Sequence, residues 1–251
     1  MAEQHSEAIQ TAFTQQAEAF EDPQYNRLFT TDSEWLFDRL PLTEDDLVLD
    51  VAAGTGHVAR RMAPKVRAVV AIDATEAMLE AGRIEAKRAA LRNVVFMRAD
   101  AAQLPFLDAS FDIVVSRFAV HHFENPRVQL GEMRRCLRMG GRLAIADLVC
   151  DPDPDVAEFQ NHLERLRDPS HTRMLSLEKL ADLVGSTDVE FRDVERTLGP
   201  WLEQTQTPPE ARAEIREALE AELAGGPSTG FRPRESDGQL RFLHTAASII
   251  A

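Results

Sequence analysis

Short apolar runs and longer amphipathic stretches alternate through the middle of this chain. From Leu47 the runs "LVLDVA", "AVVAID", "VVFMRAD", "FDIVVSRF" and "GRLAIADLV" are separated by the helix-like segments "GHVARRMAP", "TEAMLEAGRIEAKRAAL" and "PRVQLGEMRRCLRMGG". Strand, helix and strand repeated in this way predict a parallel sheet with helices on both faces. The last of these helices is expected to end at Gly140 and Gly141 in a left-handed cap.

The flanks have a different rhythm. Ile9, Phe13, Ala17 and Phe20 recur at three- and four-residue spacing, which predicts an amphipathic helix over residues 6–20. A second helix is expected in "DSEWLFDRL", capped by Asp32 or Ser33, with Trp35, Leu36 and Leu40 facing inward and Pro41 ending it. Beyond residue 150 come two helical stretches separated by "RDPSHTR", a strand "VEFRDVERTLG" and an acidic helix "PEARAEIREALEAEL" that stops at Gly225 and Gly226. The β-rich run "QLRFLHTAASIIA" closes the chain; inserted between "GRLAIADLV" and "VEFRDVERTLG", it would run antiparallel.

Composition narrows the partners. Among 251 residues, 42 acidic against 28 basic side chains leave a net charge of −14, which repels a phosphate backbone and argues against nucleic acid as substrate. Cys136 and Cys150 form no C-x-x-C and are expected in the core. His57, His162 and His244 lack metal-ligand spacing, so no metal is expected. No run of about 18 apolar residues occurs and the N-terminus has no apolar signal region, which points to a cytoplasmic protein without a membrane span.

The most informative stretch is "VLDVAAGTGHVA". Its glycines allow a sharp turn and close backbone approach to a ligand at a helix N-terminus, which suits either a dinucleotide or an adenosyl cofactor. Asp73, after the second run, stands where a carboxylate accepts both ribose hydroxyls, and this too is common to both cofactors. The third run separates them: a carboxylate at Asp100 would accept an adenine's exocyclic amine, and the backbone N–H of Ala101 would meet a ring nitrogen.

Together the segments "VLDVAAGTGHVA", "AIDATEAML", "RADAAQLPFLDASFDIVVSRFAVHHF" and "LRMGGRLAIAD" resemble the class I S-adenosylmethionine-dependent methyltransferases. They are most similar to the small-molecule, type 11-like branch that includes the ubiquinone and menaquinone biosynthesis methyltransferases. The resemblance implies an α/β fold: a Rossmann-like, doubly wound, seven-stranded sheet, mostly parallel with an antiparallel C-terminal strand, plus a helical cap. Residues 1–44 would be a helical lid and 45–251 the methyltransferase domain, with cap insertions at about 151–175 and 200–235. It implies S-adenosyl-L-methionine as cofactor, with Asp50, Ala52, Gly54 and Gly56 around its methionine part, Asp73 at the ribose, and Asp100 with Ala101 at the adenine. Ala74 and Met78 would pack on the adenine faces, and Arg117 would lie near the methionine end. Ala52 departs from the family's usual glycine; alanine is expected to be a mild change where only small size is needed.

Methyl transfer is an in-line displacement in a dry pocket, so the protein mainly positions the reactants and, where needed, removes a proton. His121 and His122 lie at the cofactor end of the sheet and are the nearest candidate bases, with one expected to face the pocket and the other to pack. His171 and Arg173 in "DPSHTR" are second candidates, placed on the cap where they could contact an acidic or carbonyl-bearing acceptor, and Phe13, Phe20 and Tyr25 would line the acceptor pocket with Arg173. The acceptor is expected to be a small molecule methylated at N, O or C, and a homodimer is compatible with the sequence. Competing readings are a non-methylating protein that uses the same cofactor, in pericyclase-like or carboxyl-transfer chemistry, an NAD-dependent oxidoreductase and, more weakly, an RNA methyltransferase.

Overall fold

A computed structural model describes residues 10–14, 16–17, 20–21 and 34–251. Strand β1 (Leu47–Val51) lies at the centre of a sheet, parallel to β2 (Ala68–Asp73) on one side and β4 (Phe111–Arg117) on the other. Strand β3 (Val94–Arg98) extends one edge and β5 (Leu137–Cys150) continues past β4, both parallel. The C-terminal strand β9 (Gln239–Ile250) inserts between β5 and β7 (Asp188–Thr197) and is antiparallel to both, the direction expected of that run if it inserted there. The order β3-β2-β1-β4-β5-β9-β7 contains the expected seven strands; the short β6 (Leu175–Ser176) and β8 (Arg234–Ser236) raise the count to nine.

Alternation along the strands divides the interior into two layers. Leu49, Val51, Ile72, Val114 and Ile145 pack with Leu130, Met133 and Cys136 of helix α3 (Pro126–Cys136). Val48, Val69, Ala71, Ile113 and Val115 face the other way, toward Val58, Ala59 and Met62 of α1 (His57–Met62). Helix α2 (Glu76–Arg88) follows β2. Both cysteines are free and buried.

Beyond β5, helices α4 (Pro154–Arg167), α5 (Leu177–Val184), α6 (Leu198–Gln204) and α7 (Pro209–Leu223) follow. Asp153 caps α4 by accepting the N–H groups of Asp155 and Val156, and Pro154 occupies its first turn. Leu163, Trp201, Leu202, Ile215, Leu219, Phe231 and Phe242 form a separate apolar core here, with Trp201 meeting both phenylalanines edge to face.

Helix α3 stops at Cys136, short of the expected glycine cap, and β5 begins at once. The β4–β5 register jumps between Phe111 and Ile113, so residues 138–141 bulge outward, with Gly140 at a φ of 76°. The expected helix in "DSEWLFDRL" is instead a single 3-10 turn, Glu34–Phe37; Asp32, Ser33 and Tyr25 lie outside the described residues. Trp35 packs beside Phe118 and Val194, and Leu40 is buried.

Candidate active site

The strand order reverses between β1 and β4, and open α/β sheets bind ligands beyond the carboxyl ends of their strands at such a point. A cavity of about 690 Å³ opens there. Its wall includes Asp50, Ala52, Gly54, Asp73, Ala74, Asp100, Ala101 and Arg117, all predicted from sequence, together with Phe13, Phe20, His121 and His122. Gly56 and Met78 are not on the wall. A side chain on Gly56 would come within 2.6 Å of the Phe96 ring, so this glycine lets the turn sit close to β3; Met78 is buried against Ala17 and Phe20.

The turn after β1 places three alternate residues in left-handed backbone: Ala52 at φ 54°, Gly54 at 56° and Gly56 at 76°. The substitution at Ala52 is therefore more than a matter of size, because the position selects a backbone conformation that glycine adopts without penalty. The turn is fastened to β2: Ala53 donates to the Ile72 carbonyl at 2.8 Å, and Gly54 donates to Asp73 Oδ2 at 2.8 Å. The other oxygen of Asp73 accepts from the Thr75 N–H at 2.8 Å.

Asp50 is sealed beneath the turn, accepting the Ala59 N–H at 3.0 Å. Burial raises its carboxyl to about 7, although the Arg117 guanidinium favours the charged form. Burial also lowers Arg117, to about 10, with Asp50 opposing the shift. Asp100 is exposed at the end of β3 and accepts the Ala102 N–H at 2.8 Å.

After β4, Phe118 takes a φ of 53° and the chain enters a 3-10 turn, Val120–His122. Successive side chains in such a turn diverge by a third of a circle rather than half. Both histidines therefore reach the cavity wall, where one was expected to pack away from it. Asp147, near the end of β5, organises the turn: its Oδ2 accepts the Val120 N–H at 2.6 Å and its Oδ1 pairs with His121 Nδ1 at 2.5 Å. Burial works against a charged His121, but Asp147 outweighs it and the imidazole is raised above its ordinary range. His122 is driven down to about 4 by burial and by its charged neighbour. Its Nδ1 lies 3.0 Å from the Ser170 carbonyl, so the proton sits on Nδ1.

The loop holding Ser170 is tied to this turn, since the Thr172 and Arg173 N–H groups donate to the His121 carbonyl at 2.9 and 3.0 Å. His171 and Arg173 do not line the cavity. His171 is buried with Nε2 at 2.8 Å from Asn161 Oδ1, and burial lowers it to about 2; Arg173 is exposed, 4.0 Å from Glu158. The sequence reading missed Asp147, which pairs with His121, and the wall residues Arg167, Asp168, Arg196, Trp201 and His244, which lie beyond β5. Only Asp147 had a signal, being a carboxylate near the carboxyl end of a predicted strand.

A family profile described as "Methyltransferase domain" matches residues 49–145. The methyltransferase YcgJ of Bacillus subtilis is 36% identical over 67% of this chain and 68% of its own length. The crystal structure of YcgJ superposes with a TM-score of 0.75 and 30% identity, covering 86% of this chain and 95% of that one. A demethylmenaquinone methyltransferase of Clavibacter sepedonicus is 35% identical over 62% of each chain. A 27-O-demethylrifamycin SV methyltransferase of Amycolatopsis mediterranei is 37% identical over 51% of this chain and 47% of its own.

Proposed function

We propose, from the premise that this chain belongs to the S-adenosylmethionine-dependent methyltransferase family, that it methylates a small, largely apolar molecule bound beside His121. The observation that carries this reading is the convergence on one cavity of Asp50, Asp73 and Asp100 from three adjacent strands and of His121, which is paired with Asp147.

The donor set fits S-adenosylmethionine. Asp73 retains lone pairs beyond its two backbone contacts for the ribose hydroxyls, and Asp100 offers a carboxylate oxygen to the adenine amine. Arg117 offers a cation to the carboxylate of the methionine part, and Asp50 offers an oxygen acceptor to its ammonium. When bound, the cofactor supplies a sulfonium-activated methyl group. The left-handed turn from Ala52 to Gly56 would bring backbone to the ligand, and Phe13 and Phe20 would exclude water.

His121 is the base of this proposal. Asp147 holds its Nδ1 and raises its basicity, which leaves Nε2 to take the proton of the attacking group. His122, held neutral, shapes the pocket. The relatives named as a demethylmenaquinone methyltransferase and a 27-O-demethylrifamycin SV methyltransferase support a small-molecule acceptor. The test pairs calorimetry with mass spectrometry. The parent should bind S-adenosylmethionine, Asp73→Ala and Asp100→Ala should bind it more weakly, and a hydroxylated aromatic panel should yield a product heavier by one CH2. Undiminished binding by both variants would sink the cofactor map, and a product with any other mass change would sink methyl transfer.

A further inference from the structure

The cap contributes a second carboxylate–imidazole pair to the same cavity. His244, on β9, reaches the cavity wall; its Nε2 lies 2.8 Å from Oε1 of Glu164 on α4. The two residues are 1% and 2% exposed at their side chains. Burial by itself would push Glu164 up, but the Arg167 guanidinium and His244 outweigh it and hold the carboxyl below its usual range. Glu164 is therefore an acceptor only, and His244 Nε2 must carry the proton it receives. Burial also lowers His244, keeping the ring neutral.

This fixes the tautomer. His244 Nδ1 is a bare lone pair, sealed from bulk solvent and without a hydrogen-bond partner. The Trp201, Phe231 and Phe242 rings pack against the imidazole at 5.7, 5.2 and 5.1 Å, and none of them, the Trp201 indole N–H included, donates to Nδ1. A buried unpaired acceptor destabilises a fold, and such groups in native proteins call for an explanation. On a cavity wall, a ligand donor is that explanation.

Resting on the reading of this cavity as a methyltransferase site, we propose that His244 is a specificity-determining residue whose Nδ1 accepts a hydrogen bond from a hydroxyl of the methyl acceptor, which is a neutral, largely apolar hydroxylated compound. Arg167, the cation paired with Glu164, does not call for an anion. Its Nε lies 3.2 Å from Glu164 and its Nη2 3.8 Å from Asp168, so two carboxylates already balance it. Leu148, Phe118 and Trp201 give this part of the wall its apolar character.

The test uses 15N-histidine NMR on the full chain and calorimetry with three probes of one ring size: 2-naphthol, 2-methoxynaphthalene and 2-naphthoate. In the ligand-free protein the His244 resonances should show Nε2 protonated and Nδ1 bare. With S-adenosylhomocysteine present, 2-naphthol should shift the Nδ1 resonance and bind about tenfold tighter than 2-methoxynaphthalene. In His244→Phe this preference should vanish while the methoxy probe keeps its affinity. A proton on Nδ1, an unmoved Nδ1 resonance, absent binding of 2-naphthol or tightest binding of 2-naphthoate would each overturn the proposal. The tautomer is read on the wild-type protein alone, so it stands if the phenylalanine variant fails to fold. Failure of S-adenosylhomocysteine to bind would instead strike the cofactor reading.

Discussion

The two walls of the cavity are built on opposite principles. On the sheet side, from β1 to β4, the carboxylates on the cavity wall are bonded to nearby backbone: Asp73 to Gly54 and Thr75, Asp50 to Ala59, Asp100 to Ala102. On the cap side, one buried side chain holds another across a long stretch of sequence, as Glu164 holds His244. A wall made of backbone presents the same shape whatever the neighbouring side chains are, which suits a constant cofactor. A wall made of paired side chains is respecified by substitution, which suits a variable acceptor.

That contrast can be broken at several points. The largest effect is expected at the junction: His121→Ala should lower kcat by about 10²–10⁴ while leaving cofactor affinity unchanged. Because Asp147 raises His121, the acid limb of the rate profile should lie above the ordinary histidine range, and Asp147→Asn should move it to lower pH. On the sheet side, Asp73→Ala should weaken S-adenosylmethionine binding about a hundredfold, since it removes an acceptor that also pins the turn. Calorimetry checks this directly.

On the cap side, Trp201→Ala should cost about 3–5 kcal/mol by emptying the core around Phe231 and Phe242. Thermal melts would show the loss, and near-parental cofactor affinity in the folded variant would confirm that the walls are independent. Asp50 makes a quieter prediction. Its folded carboxyl titrates near 7 against an ordinary 3.8, so the fold holds a proton that the unfolded chain has released. Stability should therefore fall as pH rises from about 4 to about 7, and Asp50→Asn should flatten that slope. The smallest effect belongs to Ala52→Gly, expected to stabilise by about 0.5–1 kcal/mol because relief of left-handed strain exceeds the added freedom of the unfolded chain.

Much of the sheet wall is legible in the sequence. Periodicity placed the five parallel strands, and the carboxylates Asp50, Asp73 and Asp100 stood at strand ends because the chain itself delivers them there. For β9 the apolar run showed a strand, and its antiparallel direction was legible only on the condition that it inserts between β5 and β7, as it does. Local pattern also carried the glycine turn, though not the left-handed φ at Ala52, which arises from how the turn is pinned to β2.

The cap resisted the same reading. His171 and Arg173 looked exposed to chemistry, yet one is buried on Asn161 and the other faces Glu158 at the surface. His244 carried no motif at all, and the residue that sets its tautomer is 80 positions away. The sequence by itself determined the strands, their ends and the carboxylates standing on them, because those follow from spacing along one stretch of chain. Which histidines reach the cavity, and which of their nitrogens is left bare, was decided by tertiary structure alone, because a buried imidazole takes its charge and tautomer from partners that only folding brings within hydrogen-bond distance.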